Sequence, residues 1–472
     1  MVKISCGRTA NTNDILYKKQ NTRKERYNMK VIIIGGIAAG TSAGAKLKRI
    51  SPDTEVVIYE KSDIVSFGAC GLPYFVANYF EESNKMIART PEAFEKSGVK
   101  VKTKHEVVDV NFDDKFIVVR DLSNGKNFKE YYDKLMIATG ASSIIPPIKN
   151  VNISNVCTLK SMEDGLKLKE LMKDENNKKV VIVGAGFIGL EAVEAAKQYG
   201  KEVSVIQLED RILKDVFDKE LTDVLEEELR SHGIKLYLNE TVIEMIGERK
   251  VSKVKTTERE IDADIVIIAT GVRPNTEIFK NKGLKMLKNG AIIVDNKGAT
   301  SIKDVYAAGD CATIPSLIDG EPLYLPLATG ANKLGRIVGE NMGNMDSEFP
   351  GSLASSCIKV MNMEAGRTGL TELQAEKQGI NYKVKFINDM NQTSYYPGQN
   401  KIYLKLIYDG YTKKILGGQI AGYKDAVQRV NVIAACIFAG LTTSELGMLD
   451  LCYAPPFART WDALNVLGNV SK

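Results

Sequence analysis

No apolar run in this 472-residue chain approaches the ~18 residues that a membrane span needs, and the longest, VIIIGG and VVIVGAG, stop at glycine. Such runs read as buried strands, and no membrane partner is expected. Charge of one sign is lacking as well. The formal net charge of +5 resides in residues 1 to 28, which hold seven Lys or Arg and two Asp or Glu; without them, 64 − 7 = 57 basic and 59 − 2 = 57 acidic side chains remain. A neutral body leaves no general footprint for nucleic acid, although a local patch can hold an anionic metabolite. The seven cysteines have neither metal-ligand spacing nor the pattern of a disulfide framework, so no metal is expected, and a reducing, cytoplasmic setting is. Histidine occurs twice, His105 in KTKHEVV and His232 in RSHGIK, both of which read as structural or surface positions.

What is present fits a soluble chain of two or three domains, with 44% hydrophobic and 26% charged residues. The segment MVKISCGRTANTNDILYKKQNTRKERYN has no apolar core of signal-peptide length and no helical stripe, so residues 1 to 28 read as a disordered basic tail. Met29 opens the first clean strand.

Two segments then share one design. MKVIIIGGIAAGTSAGAKLKRISPDTEVVIYE (residues 29 to 60) and KKVVIVGAGFIGLEAVEAAKQYGKEVSVIQ (178 to 207) each read as strand, glycine turn, alanine-rich helix and strand, the βαβ unit that binds a dinucleotide. The glycines allow a tight turn and close approach to a pyrophosphate, and the helix N-terminus offers it free N–H donors. The second copy has all three glycines, Gly184, Gly186 and Gly189; the first keeps Gly35 and Gly40 but has Gly36 and Ile37 between them. Glu60 ends the first unit, where a carboxylate can accept both hydroxyls of an adenosine ribose. Gln207 ends the second and neither grips the diol nor repels a 2′-phosphate. The choice between NADH and NADPH stays open, Glu209 favouring the first and Arg211 the second.

Each unit is followed by a strand ending in IATG, Ile137 to Gly140 and Ile268 to Gly271, and a later segment, TSIKDVYAAGDCA, places Asp310 after Gly309. With these five motifs in order, residues 29 to 472 resemble the pyridine nucleotide-disulfide oxidoreductases. The resemblance implies an α/β fold with two Rossmann-like three-layer domains and a C-terminal α+β dimerisation domain. FAD would be held by residues 29 to 148 and 278 to 348, the nicotinamide nucleotide by 149 to 277, and a homodimer would form through 349 to 472. FAD would contact Gly35, Gly36, Ile37, Ala38, Ala39, Gly40, Glu60 and Lys61, then Val107, Ala138, Thr139 and Gly140, and finally Gly309, Asp310 and Ala328. NADH or NADPH would contact Gly184, Gly186, Phe187, Ile188, Gly189, Gln207 and Gly271.

The resemblance also places Cys70, in SFGACGLPYF, where the chain turns into a helix beside the flavin. A thiol at a helix N-terminus is expected to favour the thiolate, and Pro73 suits a first turn. The remaining cysteines of the body, Cys157, Cys311, Cys357, Cys436 and Cys452, read as small buried hydrophobes. Two-cysteine relatives carry a partner five residues on; here that position is Phe75, so the oxidised state is a sulfenic acid or a mixed disulfide with a small thiol. The oxidase and peroxidase branch has a histidine in the first glycine turn, where this chain has Ala38. The motif around Cys70 is closer to that of coenzyme A-disulfide reductases. That branch implies Tyr453 or Tyr395, reaching the partner subunit's site, as donor to the departing thiolate, although both also read as interface packing. It implies substrate contacts from Ser42, Lys46, Arg49, Ser66, Ala69, Asn332 and Arg459. The expected reaction passes electrons from NAD(P)H through FAD and Cys70 to coenzyme A disulfide. The alternatives are an NADH oxidase or peroxidase, a persulfide or polysulfide reductase, and an electron-transfer flavoprotein serving a protein partner with Cys70 inert.

Overall fold

A computed structural model describes residues 28 to 472, so the expected tail lies, apart from Asn28, outside the described residues. The strand Lys30–Ile34 is the centre of the first unit. It pairs in parallel with Glu55–Tyr59 and Lys134–Ile137, while Val99–Lys102 and Val305–Ala307 complete a five-stranded sheet at its two edges. Val31, Ile32 and Ile33 are wholly buried, as a parallel sheet covered on both faces requires.

The helix Ala38–Ile50 crosses from the first strand to the second and lies against the helix Ala328–Met342. The contact is backbone on backbone: a Cβ added to Gly335 or Gly339 would lie 2.5 Å from the carbonyl oxygen of Ala39 or Ala43. This close seating, with the strand Val305–Ala307, brings Gly309 and Asp310 beside the first glycine turn.

The second unit repeats the plan. Lys179–Val183 lies between Glu202–Gln207 and Ile265–Ile268, with Lys235–Leu238 and Val156–Cys157 at the edges, all parallel. The chain enters and leaves this unit through two adjacent strands, Ala141–Ser143 and Val272–Pro274, paired antiparallel. The C-terminal unit is a five-stranded antiparallel sheet in the order Ser356–Val360, Met363–Gly369, Ile415–Gly422, Lys401–Asp409, Tyr382–Met390, packed against the helix Ala426–Ala439. Along Lys401–Asp409, Ile402, Leu404 and Leu406 are buried on one face. Lys405, on the other, is only 1% exposed and meets three carboxylates, Glu220 and Glu372 at 2.8 Å and Asp218 at 3.3 Å. Since Asp218 and Glu220 belong to the second unit, this cluster fastens the two together. Among the described residues no helix is long and apolar enough to cross a membrane.

Candidate active site

One continuous cleft of about 1980 Å³ runs between the three units. Both glycine turns open into it. Gly35 and Gly184 have φ of +109° and +104°, and a Cβ on either would lie 2.1 or 2.4 Å from the carbonyl oxygen of Ala138 or Ala269. Gly40 and Gly189 are each pressed against the carbonyl of the first glycine of their own turn, 2.0 Å from a would-be Cβ. Gly186 has nothing within 4 Å and leaves room for a ligand; in the first turn Ile37 takes that place. Neither helix has a side-chain N-cap, so first-turn amides remain free for an anion.

The ends of the second strands match too. The Gly36 amide donates to Glu60 Oε2 at 2.8 Å, and the Ala185 amide donates to Gln207 Oε1 at 3.0 Å. Glu60 also accepts from the Ser62 amide and hydroxyl at 2.8 and 2.9 Å. Every residue assigned above to FAD lines the cleft except Gly36 and Gly40, and every residue assigned to the nicotinamide nucleotide does so except Gly189. Those three glycines shape the turns from behind. Beside Gln207, Glu209 is paired with Lys214 at 2.5 Å.

Cys70 sits in the turn Ala69–Gly71, ahead of the helix Leu72–Val76, with Pro73 in its first turn. The thiol is free, exposed and lines the cleft. Its tendency to ionise differs from expectation. Partial burial pushes the thiol pKa up, the Glu191 and Asp310 carboxylates add to that, and Lys160 opposes it. A helix of five residues has too little dipole to prevail over these charges. Of the cysteines expected to be buried, Cys157, Cys311 and Cys436 are, whereas Cys357 and Cys452 are exposed. Cys357 lies on the edge strand Ser356–Val360 and faces the same cleft.

Three cleft-lining side chains, Glu191, Tyr74 and Lys160, escaped the sequence reading. Glu191, on the helix Phe187–Gln198, lines the cleft; burial pushes its pKa up to about 7, and the Tyr74 hydroxyl donates to it at 3.5 Å. The signal for Glu191 was its place one turn after Phe187. Lys160 reaches from the second unit to Asp310 at 2.9 Å, a contact that no local pattern announces.

The expected substrate residues divide. Ala69 and Asn332 line the cleft, and Ser42 donates to Asn332 at 2.7 Å. Arg49 is exposed. Lys46 is paired with Glu340 at 2.9 Å, its side chain 15% exposed, and joins the two helices. Ser66 lies off the cleft in a left-handed conformation, φ 52°, with its backbone bonded to Gly36 and Ala88. Tyr395 and Tyr453, 73% and 45% exposed, bond to each other at 3.3 Å, and with Arg459, paired to Asp389, they lie on the C-terminal unit away from this chain's own cleft. His105 lies at the Glu60 end of the cleft, bonded through Nδ1 to Thr103 O at 2.7 Å, and His232 is bonded to Glu228 O.

Residues 29 to 330 match the pyridine nucleotide-disulphide oxidoreductase model, and residues 355 to 464 match the dimerisation domain of the same group. The chain belongs to this family. It is 40% identical over 449 residues to the NAD(P)H coenzyme A polysulfide/persulfide reductase of Pyrococcus horikoshii, covering 95% of this chain and 99% of that protein. It is 35% identical over 445 residues to an NADH oxidase of Enterococcus faecalis, covering 94% and 99%. The solved structure of an NAD-dependent persulfide reductase from A. fulgidus superposes with a TM-score of 0.90 at 33% identity, covering 94% of this chain and 83% of that one. The protein is accordingly an NAD(P)H-dependent flavin oxidoreductase with FAD as cofactor. The two glycine turns, each with free helix amides and a hydrogen-bonded acceptor at the strand end, fit two dinucleotides. FAD, when bound, supplies the relay of two electrons from the nicotinamide.

Proposed function

We propose that this enzyme reduces a sulfur–sulfur bond carried by coenzyme A, coenzyme A disulfide above all, through Cys70 alone and as a homodimer. The observation that carries this reading is a free thiol facing the cleft, with the position of a second cysteine filled by Phe75, 2% exposed. The oxidised form then needs an external thiol. The coenzyme A chemistry named for the Pyrococcus horikoshii relative supports that choice.

The Cys70 thiolate attacks one sulfur of the substrate; its S–S bond breaks, one coenzyme A leaves as thiolate, and Cys70–S–S–CoA remains. Tyr453, with Tyr395 bonded to it, donates a proton to the departing thiolate across the dimer. Two electrons from NAD(P)H then cleave the mixed disulfide, returning Cys70 to thiolate and releasing the second coenzyme A thiol. In sum, one disulfide, one NAD(P)H and one proton give two thiols and NAD(P)⁺. Arg49, exposed and two helical turns on from Ser42, supplies a cation for the coenzyme A phosphates.

Intact-mass analysis with and without reductant tests the reading. A reducible adduct of coenzyme A mass on Cys70 is expected, and Cys70→Ser should lose disulfide turnover while NAD(P)H still bleaches the flavin. Oxygen adducts alone would select the oxidase chemistry named for the Enterococcus faecalis relative. Full turnover in Cys70→Ser would select an inert thiol and a different acceptor.

A further inference from the structure

We infer that Lys214 is the specificity-determining residue that admits NADPH to the second nucleotide site, its ammonium and the side-chain amide of Gln207 together receiving the 2′-phosphate. The inference goes beyond the proposed function and holds whichever acceptor the enzyme reduces. It starts from a difference between the two strand ends. Glu60 accepts the Gly36 amide through Oε2 and Ser62 through Oε1, and what it has left for a ligand is lone pairs alone. Gln207 accepts the Ala185 amide through Oε1 at 3.0 Å, which fixes the orientation of its side-chain amide. Its Nε2 then offers two N–H donors and has no partner among the described residues. A ribose hydroxyl either donates or accepts, whereas a dianionic phosphate accepts only, so a free donor suits the phosphate best.

The positive charge for that phosphate stands close by. Gln207 and Glu209 both line the cleft, and Lys214 Nζ lies 2.5 Å from Glu209 Oε2 and 3.2 Å from Asp210 Oδ1. The lysine, glutamate and aspartate side chains are 32%, 43% and 55% exposed, so these ion pairs are weak. A dianionic phosphate entering beside Gln207 draws the ammonium away from Glu209 and leaves that carboxylate to water. Without a phosphate, the pair keeps the rim neutral and does not repel the ribose diol of NADH. Arg211, which the sequence suggests as the cation for NADPH, serves elsewhere. Its Nη2 donates to Lys214 O at 3.4 Å, its Nη1 lies 3.7 Å from Asp210, and it does not line the cleft. Arg211 braces the turn that carries Lys214.

The test reads anaerobic flavin reduction by NADH and by NADPH in the holoenzyme, a step that precedes any acceptor. Calorimetry on the same protein compares adenosine 2′,5′-bisphosphate with adenosine 5′-monophosphate, which differ only in the 2′-phosphate. Lys214→Met should lower the NADPH-to-NADH ratio of second-order reduction rates roughly tenfold and weaken the bisphosphate relative to the monophosphate by about the same factor. Lys214→Arg should keep both ratios within about threefold of wild type. Glu209→Gln, which frees the ammonium, should raise both ratios about threefold. FAD content and thermal melting report folding in every variant. Unchanged ratios in Lys214→Met, or equal losses for both nucleotides, would overturn the inference, as would a tenfold loss confined to Arg211→Met with normal melting.

Discussion

Replacing Gln207 by glutamate should turn the second nucleotide site into a copy of the first. The two strand ends are already held alike, by a backbone amide at 2.8 Å from Glu60 and 3.0 Å from Gln207, so a carboxylate can adopt the same pose at position 207. In the wild type the site is close to neutral, because Glu209 is spent on Lys214 at 2.5 Å. A carboxylate about 5 Å from a 2′-phosphate costs about 3 kcal/mol per unit charge at an effective dielectric of about 20. Water and salt in an open cleft reduce this to about 1.5–2 kcal/mol. Gln207→Glu should therefore lower kcat/KM for NADPH by roughly 10- to 30-fold. For NADH it should leave kcat/KM equal or raise it a few-fold through charged hydrogen bonds to the ribose diol. Steady-state rates with both nucleotides at low and high salt measure this, and the NADPH penalty should shrink with salt. Equal losses for both nucleotides, or a penalty for NADPH below threefold, would show that position 207 does not face the ribose.

Glu191→Gln tests the buried carboxyl in cofactor-free protein. The wild-type pKa rises from 4.5 unfolded to about 7 folded, so between those values the folded state holds a proton that the unfolded chain has lost. Wild-type stability should fall relative to the variant as pH rises through that window, reaching a constant deficit of about 3 kcal/mol above it; urea midpoints at pH 5 and pH 8 that differ equally would refute this. Lys405→Met strands Asp218, Glu220 and Glu372 around an apolar chain and should cost about 3–5 kcal/mol in urea denaturation, with a loss below 1 kcal/mol counting against the cluster as an interdomain fastener. Gly335→Leu must push the two helices apart, since a Cβ there would lie 2.5 Å from Ala39 O; a loss of about 1–3 kcal/mol and weaker FAD retention are expected, and a variant with normal melting and full FAD would contradict the contact.

The two βαβ units were legible because their chemistry is local. Strand, glycine turn, helix and acceptor occupy some thirty consecutive residues, and Glu60 and Gln207 could be placed by counting. The C-terminal strand KIYLKLIYD was legible for the same reason and appears as Lys401–Asp409. The partner of Lys46 was not legible, because its helical spacing from Ser42 and Arg49 says nothing of Glu340, almost three hundred residues on. The ionisation of Cys70 was misjudged for a related cause: the helix was visible in the sequence, but the carboxylates of Glu191 and Asp310 come from distant segments that meet only in the fold. Cys357 shares the open face of its strand with Lys359, while Ile358 and Val360 point inward; that this face borders the cleft depends on how the units pack, which the sequence pattern does not encode.

The strand Val305–Ala307 bears on how the chain is made. It pairs with Leu135, Met136 and Ile137, yet the whole of the second parallel sheet is encoded between them. On the ribosome, at about 5–20 residues per second, roughly ten seconds to half a minute separate the emergence of the two pairing partners. The inner sheet can close during that interval, while the outer one waits with Lys134–Ile137 bare on one side. A chaperone that shields this strand, or slower decoding of codons just before 305, would thus change the yield of active enzyme without altering a single contact of the finished molecule.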